Sequence, residues 1–111
     1  MHDGSSSLKR GITEILALRL LQEDDQYGYR FVRLIKERSK GHITLTEGAI
    51  YTTMYRLEQQ GYVKSEEILI NAKRKRKYYS LTEAGREYAA KKIQNFEEMA
   101  DGIKSILEFQ V

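Results

Sequence analysis

Cysteine and proline are both missing from this chain of 111 residues. Without cysteine there are no disulfides and no thiolate metal sites, and the expected setting is a reducing cytoplasm. Without proline, each helix must be stopped by other means. Histidine occurs twice, at His2 near the start and at His42, isolated in a loop-like stretch. No paired-carboxylate constellation accompanies them, so no catalytic residue, no metal site and no cofactor is expected, and an enzyme is set aside. No window of eighteen apolar residues exists, so nothing is expected to span a membrane. The opening MHDGSSSLKRG lacks an apolar signal core and reads as a mobile tail over residues 1–7, not a secretion signal.

What is present is an ordinary globular balance, 41% hydrophobic and 32% charged, enough for one domain with a modest core. The net charge of +3 is unevenly spread. Residues 1–80 hold fifteen basic and ten acidic side chains, and residues 81–111 hold four and six. A basic body with a mildly acidic end suggests two partners of different character.

Apolar positions Leu8, Ile12, Ile15, Leu16, Leu18, Leu20 and Leu21 predict a first helix over residues 8–22, buried on more than one side. Tyr27, Phe31, Leu34 and Ile35 recur at helical spacing in a second, and SKGH at 39–42 reads as a loop. A third helix starts at the N-cap Thr46, is helped by Glu47 at its positive end, and stops at Gly61. Its apolar stripe is Ile50, Met54 and Leu57. YVKSEEILI then reads as a strand, NAKRKR as a turn and KYYSL as a second strand. Thr82 caps a last helix running to about Glu108. The expected fold is mostly α with a small β-hairpin: a winged helix-turn-helix over residues 8–81, then a long C-terminal helix over 82–111.

Five consecutive cations, Lys73, Arg74, Lys75, Arg76 and Lys77, fall at the hairpin tip and its returning strand. The plainer reading is a solvated turn. The functional one is a wing gripping DNA phosphates, where Lys and Arg supply sequence-independent affinity through counterion release. The third helix lies beside that run. Thr46, Gly48 and Ala49 at its start allow close approach to DNA, Thr52 can meet a base or a thymine methyl, and Arg56 can pair with guanine or phosphate. Tyr51 and Tyr55 offer hydroxyls to phosphate, as does Tyr79 on the returning strand. Against each stands a plainer role: Tyr51 half in the core, Arg56 in a surface ion pair, Tyr79 turned inward by its alternation with Leu81.

LTEGAIYTTMYRLEQQGYV together with RKYYSLTEAGRE resembles the PadR family of bacterial transcriptional regulators. The matching positions are Gly48, Ile50-Tyr51, Arg56-Leu57-Glu58, Gly61, Arg76-Lys77-Tyr78-Tyr79, Leu81-Thr82-Glu83 and Gly85, with YGYRF at 27–31 similar to the family's second-helix start. Where many members carry proline after the N-cap and after the helix tyrosine, this chain has Glu47 and Thr52. The resemblance implies a homodimeric repressor of a nearby promoter. Short members often respond to small planar or cationic compounds held between subunits, and others to phenolic acids.

The last helix points to a partner without the resemblance. Ala89, Ile93, Phe96, Ala100, Ile103 and Leu107 form a heptad seam. Ile12, Ile15, Ile93, Phe96, Ala100, Ile103 and Leu107 are therefore the candidate dimer interface. Ile12, Ile15 and Phe96 are the candidate effector surface, against the plainer reading of Phe96 as a packing residue. The rival function is a winged helix used for protein–protein contact without DNA.

Overall fold

The computed structural model describes residues 4–110, with side chains from residue 8 onward. Its elements run α1 (Gly4–Glu23), β1 (Gln26–Tyr27), α2 (Gly28–Arg38), α3 (Glu47–Gln59), β2 (Val63–Asn71), β3 (Arg74–Leu81) and α4 (Glu83–Glu108). This is the expected winged helix-turn-helix with a long final helix. The tail expected over residues 1–7 lies partly outside the described residues, and from Gly4 onward α1 is already helical.

Three helices and one sheet close on a single core. Ala17, Leu18, Leu20 and Leu21 of α1 meet Phe31 and Ile35 of α2 and Ile50, Met54 and Leu57 of α3. Val63, Tyr79, Leu81 and Ala89 complete it from the sheet and α4. The apolar stripe of α3 is thus the face it buries, which leaves Tyr51, Thr52 and Tyr55 outward.

The helix ends follow the capping chemistry. The Thr46 side chain accepts a hydrogen bond from the Ala49 amide at 3.1 Å, and that of Thr82 accepts one from the Gly85 amide at 3.0 Å. After α3, Gly61 takes φ +82° and its amide donates to the Glu58 carbonyl, turning the chain into β2. Gly85 is required for a different reason: a side chain there would run into the Tyr62 carbonyl.

The sheet differs from expectation in two ways. It has three antiparallel strands in the order β1-β3-β2, because Gln26 and Tyr27 leave the helical pattern and pair with Tyr79 and Tyr78. Two residues of strand are too few to carry a periodicity, and Tyr27 stands at the N-cap position of α2 in an extended conformation, without a side-chain cap. The hairpin turn is also tighter than NAKRKR: only Ala72 and Lys73 lie between the strands, with the Asn71 side chain accepting from the Lys73 amide at 3.0 Å. Arg74 to Arg76 therefore belong to β3, together with the Lys77 already expected there.

α4 is 26 residues long, about 39 Å at 1.5 Å per residue. Its first half rests on its own chain through Gly85, Tyr88, Ala89 and Ile93, with Tyr88 stacked on Tyr62 at 3.9 Å between centroids. Its second half projects, which makes the molecule 63 Å long and about 30 Å across. There Met99, Ile103, Ile106 and Leu107 are 50–79% exposed. Among the described residues no helix is long and apolar enough to cross a membrane.

Candidate nucleic-acid interface

The exposed side of α3 faces the hairpin across an open groove. Tyr51, Thr52 and Tyr55 form one wall and Lys75 and Lys77 of β3 the other. Strand alternation explains the second wall. Lys75 and Lys77 share a face with Tyr79 and Leu81, so the face that is buried near the body becomes cationic toward the tip. Two glutamates temper the cations: Lys77 lies 4.0 Å from Glu58 and Lys75 3.9 Å from Glu67. The Lys75–Glu67 pair is well exposed and of little energetic weight, whereas Glu58 is half-buried and also accepts from the Ser65 hydroxyl at 3.0 Å.

The opposite face of β3 holds Arg74, Arg76 and Tyr78. Arg76 sits 4.0 Å over the Tyr27 ring, which in turn meets Tyr78 edge-on at 5.3 Å. A second groove joins these residues to the start of α2 and of α3, between Tyr27, Tyr29, Glu47, Tyr51 and Arg76. Tyr51 leans across it. A Cβ at position 28 would lie only 2.5 Å from the Tyr51 hydroxyl, so the glycine of YGYRF makes room for that ring.

Two candidate residues stand differently from the rest: Tyr79 closes the floor of the groove, and Arg56 lies outside it. Tyr79 is 3% exposed and packs against Phe31 and Tyr51 at 6.4 and 6.5 Å between centroids. Burial, joined by the negative potential of Tyr51 and Glu58, pushes its hydroxyl up to about 12. It is a core residue, as its alternation with Leu81 allowed. Arg56 turns away from the groove toward α1. Its Nη2 donates to Glu14 Oε1 at 2.9 Å, and the Tyr88 hydroxyl donates to Glu14 Oε2 at 3.0 Å. Glu14 is 9% exposed, so this carboxylate depends on Arg56 for its countercharge. The arginine joins α3 to α1 and, through Glu14 and Tyr88, to α4, which is the ion pair of the plainer reading. Burial, then the bond to Glu14, also pushes the Tyr88 hydroxyl up to about 12.

A third groove flanks α3 on the side away from the wing. There Lys9, Arg10 and Thr13 of α1 face Thr46, Ala49 and Thr52. Lys9 and Arg10 had no place in the sequence reading, because nothing in the local pattern shows that the first turns of α1 run beside the third helix. Thr46 and Ala49 keep their expected position at the rim of α3, Thr46 with its hydroxyl held by the cap. Gly48 is exposed, and a Cβ there would meet only the Thr46 hydroxyl at an ordinary 3.8 Å.

The α1/α4 side carries the remaining candidates. Leu8, Ile12, Ile15, Phe96 and Met99 line a shallow apolar groove bordered by Glu14 and Lys92. Ile12, Ile15 and Phe96 therefore meet within one chain. Ile93 packs on its own core, so it is drawn inward at the end of the seam nearest the body. Ala100 is half-buried, and Ile103 and Leu107 lie on the projecting half.

The model of the transcriptional regulator PadR-like family matches residues 17–91. The chain is 28% identical over 103 residues to uncharacterized protein X of Lysinibacillus sphaericus, covering 93% of this chain and 94% of that protein. Among solved structures it is similar to a transcriptional regulator from Clostridium thermocellum, with a TM-score of 0.79 and 27% identity over 97% of this chain and 100% of that one. It also shares its fold with PadR of Bacillus subtilis, crystallised in complex with operator DNA, at a TM-score of 0.66 and 21% identity over 72% of this chain and 46% of that one.

Proposed function

The chain belongs to the PadR-like family of transcriptional regulators, a family of regulators and not of enzymes, and from that premise we propose that it binds operator DNA as a homodimer and represses a promoter. The observation that carries this reading is the groove shared by Tyr51, Thr52 and Tyr55 of α3 with Lys75 and Lys77 of β3. One exposed helix face lies there between two cationic flanks, the wing on one side and Lys9 and Arg10 on the other. An α-helix fits the major groove, and cations spaced to either side of it fall on phosphates. Thr46, Gly48 and Ala49 bring the start of α3 to the DNA, Thr52 meets the bases, and Lys73 to Lys77 hold the backbone. The Bacillus subtilis protein that shares the fold was crystallised with operator DNA, which supports duplex DNA as the partner.

The projecting half of α4 supports the second element of the reading. Its exposed Ile103 and Leu107, in register with the half-buried Ala100, call for another copy, whose own α1 and α4 supply the cover. Two copies give two α3 helices for a two-fold operator in the cytoplasm. The apolar groove of Ile12, Ile15 and Phe96, with the Glu14 carboxylate at its edge, is suited to a small aromatic ligand, phenolic or cationic, that releases the repressor. Division into a winged domain over residues 8–81 and a dimerisation helix over 82–111 follows from the same reading.

The test is binding to duplex DNA from the promoter upstream of the chain's own gene, titrated at several salt concentrations. Operator binding predicts sequence preference together with affinity that falls steeply with salt. Absence of binding at low salt would support a winged helix used only for protein contact.

A further inference from the structure

Operator docking leaves one feature of the wing unused. Ile68, Leu69 and Ile70 are consecutive aliphatic residues of β2, exposed at 44%, 62% and 42%. β2 is an edge strand, and an apolar run on an open edge ordinarily invites another chain. Here the neighbouring strand decides what can approach. Lys75 is the cross-strand partner of Leu69 and Arg76 that of Ile68, while Arg74 faces Asn71 beyond a register shift and Lys73 occupies the turn. A second copy of this hairpin would set four such cations against four more. A polyanion meets a surface on which these four cations outnumber the two exposed carboxylates of β2, Glu66 and Glu67, the latter already 3.9 Å from Lys75.

Continuity with the α3 groove points the same way. Leu69 follows Ser65 and Glu67 along one face of β2, and its partner Lys75 lines that groove with Thr52 and Tyr55. We infer that Leu69, flanked by Ile68 and Ile70, is an apolar wedge that enters the minor groove of the duplex beside the major-groove segment met by α3. The inference rests on the operator reading. The cations of β3 hold the phosphates, and Leu69 packs against sugars and base edges between them, while Ile68, the partner of Arg76, lies on the other face of the strand. A wedge of this kind forms no hydrogen-bond code. It favours sequences whose base step under the wing unstacks at low cost, so it adds specificity through deformability.

The wedge has a signature that the cations lack. Apolar contact releases no counterions, so its loss changes affinity at every salt concentration equally. The experiment compares the full chain with Leu69→Thr and with the triple Ile68→Thr, Leu69→Thr, Ile70→Thr, all β-branched replacements that keep strand propensity. Each is titrated against the bound promoter duplex at three salt concentrations, and a 2-aminopurine reporter is placed at the step under the wing. Leu69→Thr is expected to weaken binding on the order of tenfold with an unchanged salt slope. The reporter should brighten with the parent protein and stay dim with the triple variant. Unchanged affinity would overturn the wedge and leave the operator reading standing. A loss accompanied by a shallower slope would also overturn it, since the substitution would then have displaced cations. A drop in sedimentation mass in the variants would overturn it in favour of a second copy on this strand. Failure of the parent protein to bind any duplex would remove the operator reading and the wedge together.

Discussion

α3 and the far half of α4 both turn side chains to solvent that a folded domain would usually cover, and they differ in what surrounds those side chains. On α3 the exposed residues are Tyr51, Thr52 and Tyr55, each with a polar tip, set between Lys75 and Lys77 on one side and Lys9 and Arg10 on the other. On α4 they are Met99, Ile103, Ile106 and Leu107, with no polar atom except the thioether and with Glu97, Glu98, Asp101 and Lys104 interspersed. Amphipathic tips among cations suit a hydrated polyanion, while a purely aliphatic strip suits another apolar surface. Exposure alone would have treated the two helices alike. Their electrostatic surroundings separate them.

The largest effect expected from that contrast is on assembly. Ile103→Glu would bury an unpaired carboxylate in the proposed α4 interface and should weaken the dimer by about 3–5 kcal/mol. Sedimentation should then show the 13.0 kDa chain mass where the parent shows twice that value. A parent that is monomeric at micromolar concentration would erase the contrast, because the α4 strip would need no partner.

The next effect separates Arg56 from the reading surface. If its main role is the Glu14 pair, Arg56→Ala should lower the unfolding free energy by about 1–3 kcal/mol, since it strands a buried carboxylate. Denaturant titration measures that loss. Preference among operator sequences should survive in the fraction that remains folded. A stable variant with relaxed base preference would return Arg56 to the interface.

Buried tyrosines give a smaller effect with a defined direction. The hydroxyls of Tyr79 and Tyr88 are both raised to about 12 from an ordinary value of 10. A raised value means that the folded state favours the neutral phenol. Its contribution is complete below pH 10 and is lost as pH climbs toward 12. Stability measured over that window should fall, and Tyr79→Phe should make the fall shallower. An identical profile in the variant would mean that Tyr79 is not held in the core.

Smaller again is the effect of the far flank of α3. Lys9→Gln with Arg10→Gln should reduce the dependence of log affinity on log salt by about 2, one for each phosphate contact, without changing sequence preference. An unchanged slope would confine the cationic surface to the wing.

Much of this architecture could be read from the chain. Thr46, Gly61 and Thr82 marked helix ends because capping is local chemistry, written in adjacent residues. The stripe of Ile50, Met54 and Leu57 gave both the buried face of α3 and, by difference, the exposed one. What could not be read depended on distant partners. Arg56 looked free until α1 brought Glu14 to it from 42 residues away. Lys9 and Arg10 gain meaning only from the packing of α1 beside α3. β1 is too short for any periodicity, and the charge of Arg74 to Arg76 resembles that of a loop although the three residues alternate along a strand.

The measurement that bears most directly on the α3 surface is a set of binding isotherms on the promoter duplex at three salt concentrations, for the parent and for Lys73→Gln, Arg74→Gln, Lys75→Gln. Lys75 stands beside the exposed helix face and Lys73 and Arg74 lie at the tip of the same wing, so the substituted protein should bind every duplex more weakly, with a salt slope lower by about 3 and the same order of sequence preference. Superimposed isotherms for the two proteins would contradict this and leave the cations of the wing as a solvated feature with no part in recognition.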